Sequence, residues 1–221
     1  MKPGLALVPL RGGSKSILKK NIKLFGGKPL CAWVLEAALK AKYVGKVVVS
    51  TDCEEIKKTV SMISSKIEIF HRPQHLATDE ASTDDVMNDF CSKIIFENLI
   101  TIQATSPLLT STHIDKAYAI FQKSKLDSML TAVRIKRFFW DDNNFPLNYD
   151  PNHRPRRQDF RGSLMENGAF YITRRDLLLK TGCRLGGKIG IYEMPECFAS
   201  EIDEPDDWLN VEALLKNKQV I

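Results

Sequence analysis

Residues Leu5 to Asn21, LALVPLRGGSKSILKKN, constrain the possible fold more than any other stretch of the chain. Leu5, Ala6, Leu7 and Val8 form an unbroken apolar run. A strand that is apolar on every residue has both faces buried, as in a parallel sheet covered by helices on either side. The run leads at once into a loop with Gly12, Gly13 and three lysines. Glycine lets backbone N–H groups approach an anion closely, and Arg11, Lys15 and Lys20 supply cations that would spread along a triphosphate. The Walker pattern is absent, because no Gly-Lys-Ser/Thr step opens a helix here. On spacing alone the stretch fits both a phosphate site and a basic surface loop.

The chain beyond it alternates strands with helices. Pro29 stands at a helix start, followed by Leu30, Trp33, Val34, Ala37, Ala38 and Ala41 at helical spacing. Lys46 to Ser50 reads as a valine-rich strand, Thr51 and Asp52 as a turn or cap, Glu54 to Met62 as a helix, and Ile67 to Phe70 as a third strand. A helix from about Thr83 sets Met87, Phe90, Cys91, Ile94 and Ile95 on one face before the strand Leu99 to Gln103. Ser111 caps the next helix, with Ile114, Ala117, Tyr118 and Phe121 inward, and Ser128 to Val133 is a strand. Later come a strand over Gly168 to Ile172, a helix near Arg175 to Lys180, a strand over Ile189 to Glu193 and a helix around Asp206 to Leu215. This order implies right-handed crossovers and an α/β three-layer sandwich with a mainly parallel, Rossmann-like sheet. Ligands bind at the carboxyl ends of such strands, and Arg11, Asp52 and Arg72 fall there.

Between Arg134 and Met165 the periodicity lapses, in a stretch with Asn143, Asn144, Pro146, Pro151 and Pro155. A connection this long inside a compact domain carries function or forms an interface. It holds seven Lys and Arg against four Asp, a net +3 within the chain's +5. A length of 221 residues suits one domain, 1–221, with 134–165 as an excursion. At 43% hydrophobic and 27% charged residues the composition is that of a globular protein. No apolar run is long enough to span a bilayer and no signal-peptide core opens the chain, so the expected location is cytoplasmic. The five cysteines lack metal-ligand spacing and read as reduced thiols, and the four histidines show no pairing.

Several motifs in order carry a resemblance. V-P-L-R-G-G-S-K-x-x-x-x-K-N, G-G-K-P-L and V-V-V-S-T-D are followed by R-P-Q-H-L-A-T-D at 72–79 and I-Q-A-T-S-P at 102–107. R-P-R-R-Q-D at 154–159, E-N-G-A-F-Y at 166–171 and E-I-D-x-x-x-D-W at 201–208 complete the set. The sequence resembles the CMP-sialic acid synthetases, or acylneuraminate cytidylyltransferases, over nearly its whole length, and I-Q-A-T-S-P and R-P-R-R-Q-D look like the animal-type members. The resemblance implies a fold of the nucleotide-diphospho-sugar transferase type, transfer of CMP from CTP to the anomeric hydroxyl of N-acetylneuraminate or KDN, and a homodimer formed through the excursion. KDO, legionaminic and pseudaminic acids are alternative acceptors.

Residue by residue, the resemblance assigns the nucleotide to Leu10, Arg11, Gly12, Gly13, Ser14, Lys20, Asn21, Arg72 and Ser82. Arg11 and Lys20 would clamp the phosphates and Asn21 the ribose. Leu10, Arg72 and Ser82 would read cytosine, whose edge carries both acceptors and a donor. Arg11, Lys20 and Asp203 are the expected catalytic residues. Glu201, Asp203 and Asp207 would hold Mg2+, a hard cation that takes oxygen ligands. Gln103, Arg154, Arg157, Gln158 and Asn167 correspond to the sugar site, where guanidinium suits a carboxylate and amides suit hydroxyls. The chain departs from the family pattern at Ser16 and Leu18, which replace Gly and Pro, and at Glu201, which replaces Asp. The partners expected are CTP and a nonulosonic acid, without membrane or nucleic acid. The rival from another class is a non-catalytic nucleotide- or RNA-binding protein, because H-R-P-R-R also suits a basic nucleic-acid patch.

Overall fold

The computed structural model describes residues 2–219. Chain order is β1 (Gly4–Pro9), β2 (Leu24–Phe25), β3 (Lys28–Pro29), α1 (Leu30–Lys40), β4 (Val44–Thr51), α2 (Glu54–Ile63), β5 (Ile67–His71), α3 (Thr83–Lys93) and β6 (Asn98–Ile102). It continues with α4 (Ser111–Lys123), β7 (Ser128–Ile135), β8 (Ser163–Arg174), α5 (Arg175–Thr181), β9 (Ile189–Met194) and α6 (Pro205–Gln219). Seven strands form one sheet in the order β5-β4-β1-β6-β8-β7-β9, and β2 and β3 form a separate hairpin. All neighbours are parallel except β8, which runs antiparallel to both β6 and β7.

The apolar run of β1 is buried on both faces, as its composition requires. Ala6 and Val8 join Val47, Val49, Ile100 and Ile102 in a large core with α1, α2, α4 and α6. Leu5 and Leu7 join Val48 and Leu99 in a smaller core under Met87, Phe90 and Cys91 of α3 and Leu178 of α5. The period-2 alternation thus splits each strand between two helical layers. Each fully buried Leu, Val, Ile or Phe contributes about 1.5–3 kcal/mol relative to its exposed state. The β2–β3 turn is Gly26-Gly27, both at positive φ (55° and 89°). That geometry matches the twist of a tight hairpin. It puts Phe25 edge-on to Trp208 of α6, with ring centroids 5.2 Å apart.

Some expectations differ in detail, among them the cap of α4, which is Thr110 with Ser111 as the first helical residue. α3 ends at Lys93, so Ile95 lies beyond it and is exposed rather than on the inward face. The excursion is shorter and better ordered than its composition suggests. Strand pairing persists through Arg134↔Leu164 and Ile135↔Ser163, which leaves 136–162 as the head of a long hairpin. Within the head, Phe138 stacks against Tyr149 and Phe160 with centroids 4.1 and 4.8 Å away, and Trp140 pairs with Pro146 as an isolated bridge. No helix among the described residues is long and apolar enough to cross a membrane.

Candidate functional site

At the carboxyl ends of β1 and β6 lies a cleft lined by Arg11, Gly13, Ser14, Lys20, Asn21, Arg72, Ser82, Gln103 and Thr105, among others. A larger cleft of about 560 Å³ sits at the other end of β6, beside Asn98 and Arg174. The smaller one is the candidate site. There the Gly-rich loop after β1 meets Arg72 after β5 and Gln103 and Thr105 after β6, whereas the larger cleft lies at the opposite end of β6.

The Gly-rich loop is held from two sides. Leu10, itself buried, donates its N–H to the Ser50 carbonyl at 2.9 Å. Gly12 donates its N–H to Asp52 Oδ1 at 2.9 Å, and Asn21 Nδ2 donates to the Arg11 carbonyl at 3.0 Å. Asn21 therefore braces the loop as well as lining the cleft. Ser16 and Leu18, the departures from the family pattern, both point outward: Ser16 Oγ donates to Glu204 and Leu18 is exposed. The bend is made instead by Lys19, at φ 53°.

Every cation of the loop that faces the cleft already has an internal acid. Arg11 and Lys15 share Asp79, and Arg11 Nη1 also donates to the Thr78 carbonyl at 3.1 Å. Lys15 and Arg11 together hold the Asp79 carboxyl below the usual carboxylate range. Lys20 Nζ donates to the Ile202 carbonyl at 2.8 Å and to Asp203 Oδ1 at 3.1 Å. The loop is thus built to face negative charge.

Arg72 is buried, and its guanidinium is anchored to β4 by Nε to Ser50 Oγ (3.3 Å) and Nη2 to the Ser50 carbonyl (3.0 Å). Burial lowers its pKa to about 10, against the pull of Asp52, so it stays charged at neutral pH. Nη1 makes no hydrogen bond among the described residues, and Arg72 lines the cleft. Ser82 caps α3: its Oγ accepts from the Asp85 N–H at 3.1 Å in a reciprocal capping box.

On the far wall β8 carries a large bulge. Leu130 pairs with Tyr171 and Ala132 with Glu166, so Asn167 to Phe170 oppose a single residue, Thr131. Gly168 takes φ 62° in this bulge, and a Cβ there would stand 3.0 Å from Glu201 Oε2. Asn167 is buried and donates to the Phe198 carbonyl at 2.9 Å, and its Oδ1 is buried without a hydrogen-bond partner. The Ile202 N–H donates to the Thr105 carbonyl at 2.8 Å, which sets Glu201 and Asp203 beside the cleft. Burial, then the Asp203 charge, raise the Glu201 pKa. Asp207 Oδ2 accepts the N–H groups of Asp203 (3.1 Å) and Glu204 (2.8 Å), so it shapes the turn into α6.

The carboxylates of Glu201 and Asp203 are hard oxygen donors whose mutual repulsion a divalent cation would relieve, so they fit Mg2+. Among the described residues no three His, Cys, Asp or Glu side chains gather into a complete metal site.

The cleft thus gathers Arg11, Gly13, Ser14, Lys20, Asn21, Arg72, Ser82 and Gln103, with Glu201 and Asp203 close by. Arg154, Arg157 and Gln158 are exposed on the hairpin head, and no residue of 136–162 lines the cleft. Arg154 instead lies over the rings of Phe138 and Tyr149, at 4.5 and 5.6 Å. Of the turn or cap expected at Thr51 and Asp52, Asp52 forms the bend before α2, and the N-cap is Cys53, without a side-chain bond.

A family model described as cytidylyltransferase matches residues 5–215. The chain is 38% identical over 211 residues to N-acylneuraminate cytidylyltransferase A of Danio rerio, a match that covers 92% of this chain and 48% of that protein. It is 28% identical over 214 residues to the pseudaminic acid cytidylyltransferase of Campylobacter jejuni, covering 92% of each. The chain spans about half the length of the vertebrate relatives it matches. In fold it is similar to CMP:2-keto-3-deoxy-manno-octonic acid synthetase solved with CTP, with a TM-score of 0.73 at 19% identity over 98% of this chain and 100% of that one.

Proposed function

The chain belongs to the cytidylyltransferase family, and from that premise we propose that it transfers CMP from CTP to the anomeric hydroxyl of a nonulosonic acid, releasing pyrophosphate. The observation that carries this reading is the paired cationic loop. Arg11 and Lys20 line one cleft, with Lys15 joined to Arg11 through their shared Asp79, and each is held by a carboxylate or carbonyl that a triphosphate would replace. Their charge offsets what builds up on the leaving pyrophosphate as the α-phosphoryl group moves to the sugar. The Nη1 of Arg72 would donate to a cytosine acceptor, and Asn21, fixed by the Arg11 carbonyl, would hydrogen-bond the ribose.

Glu201 and Asp203 are the residues that would hold Mg2+. Bound there with the phosphates, the ion would neutralise charge on the transferring group. Gln103 and Asn167, at the end of β6 and in the β8 bulge, would meet the acid sugar. Arg154, Arg157 and Gln158 would join them from the hairpin head of a second copy, in a homodimer. Motif form and the Danio rerio relative favour N-acetylneuraminate or KDN as acceptor. Pseudaminic acid is the second reading, favoured by a relative that this chain matches over 92% of each length.

Incubation with CTP, Mg2+ and a panel of nonulosonic acids tests the proposal. Pyrophosphate release with at least one acid is expected, with loss of turnover in Lys20→Ala and on chelation of the metal. No release with any acid at saturating CTP and Mg2+ would overturn it.

A further inference from the structure

The carboxyl end of β4 ties together two parts of the cleft that lie far apart in sequence. Ser50 accepts from Leu10 N–H and Arg72 Nη2 through its carbonyl, and from Arg72 Nε through its hydroxyl. The Thr51 carbonyl accepts the Arg72 N–H at 3.0 Å. Asp52 completes the set, with Oδ1 taking the Gly12 N–H at 2.9 Å. Contact here is close: a Cβ on Gly12 would lie 2.8 Å from Cys53 Cβ. The loop is therefore seated on β4 through Asp52, forty residues away.

Among the described residues, Asp52 is also the carboxylate whose charge acts on buried Arg72, and Arg72 has no carboxylate within ion-pair distance. One side chain thus holds the phosphate loop by a hydrogen bond at the same strand end to which Ser50 and Thr51 anchor Arg72, the arginine expected at the base. Resting on the nucleotide reading above, we propose that Asp52 is the positioning residue that sets the phosphate loop and Arg72 in register, so that one CTP spans both. It touches neither phosphate nor sugar. Its effect belongs to the affinity for CTP.

Calorimetric titration with CTP alone tests this in the parent, Asp52→Ala and Asp52→Asn. The alanine variant should bind CTP about tenfold more weakly, equivalent to about 1.4 kcal/mol, which is near the upper end for an ordinary hydrogen bond. Asparagine keeps an acceptor oxygen for Gly12 and should restore most of the affinity. In steady state the alanine variant should raise KM for CTP while KM for the acid sugar stays at the parent value. Should Asp52→Ala fail to fold, Asp52→Ser, whose hydroxyl falls short of the Gly12 N–H, takes its place with the same expectation. Parent-like CTP binding by the alanine or serine variant overturns the proposal, as does an asparagine variant as weak as alanine. A parent protein that binds no CTP overturns the nucleotide reading instead.

Discussion

A Cβ built on Gly12 would sit 2.8 Å from the Cβ of Cys53, whereas one on Gly13 would meet nothing within 4 Å. The two glycines therefore have different reasons to be there. Gly12 is required by its seat against the end of β4, whereas Gly13 lines the cleft with open space beside it. Gly12→Ala should push the loop off Asp52 and lower kcat/KM for CTP by at least about tenfold, or about 1.4 kcal/mol. Gly13→Ala should leave thermal stability at the parent value and cost less in kcat/KM. Steady-state kinetics and melting curves check both, and equal losses for the two variants would remove the distinction. The Gly-rich loop was legible because its glycines and cations are consecutive. The role of Asp52 was not, because it depends on parallel pairing of β1 with β4, Val8 beside Val49 and Pro9 beside Ser50. Register of that kind leaves no local trace.

Among the elements, β8 departs furthest from its sequence signature. Only Gly168 to Ile172 reads as a strand in the sequence, yet the strand runs from Ser163 to Arg174. Its first residues, Ser163 to Glu166, are half-buried or exposed and pair along β7, so they lack the apolar density that marks the buried strands. The bulge was hidden for the same reason. One glycine within a strand suggests an irregularity, but which wall it opens toward follows only from the pairing. β1, β4 and β6 were legible because burial on both faces leaves nothing but apolar residues. Gly168→Ala follows from the bulge geometry. A residue with a Cβ at φ 62° costs about 1–2 kcal/mol, and this Cβ would also displace Glu201. Urea unfolding should report that loss, and the Mg2+ concentration for half-maximal activity should rise. An unchanged Mg2+ titration would separate the bulge from the proposed metal residues.

At the scale of the whole molecule, the hairpin head spends Phe138 on its own small core but leaves Phe139, Trp140, Phe145 and Leu147 exposed, the last two at 66% and 64%. Apolar groups gathered like this mark an interaction surface. If the surface joins two copies, light scattering at micromolar concentration should give twice the chain mass. Trp140→Asp combined with Phe145→Asp should then give a monomer that still binds CTP but has lost affinity for the acid sugar. A parent that is monomeric in that measurement would rule out the homodimer. The direction of β8 has a consequence for how such a protein diverges. Because β8 alone is reversed, the chain leaves β7 and returns to β8 at the same rim as the cleft, and all of 136–162 hangs outside the sheet. Doubling a flexible loop adds only about 0.6 kcal/mol of closure entropy. Loop closure therefore sets little limit on the length of this head outside its Phe138–Tyr149–Phe160 core, and what approaches the rim can change while the sheet that carries the Gly-rich loop stays as it is.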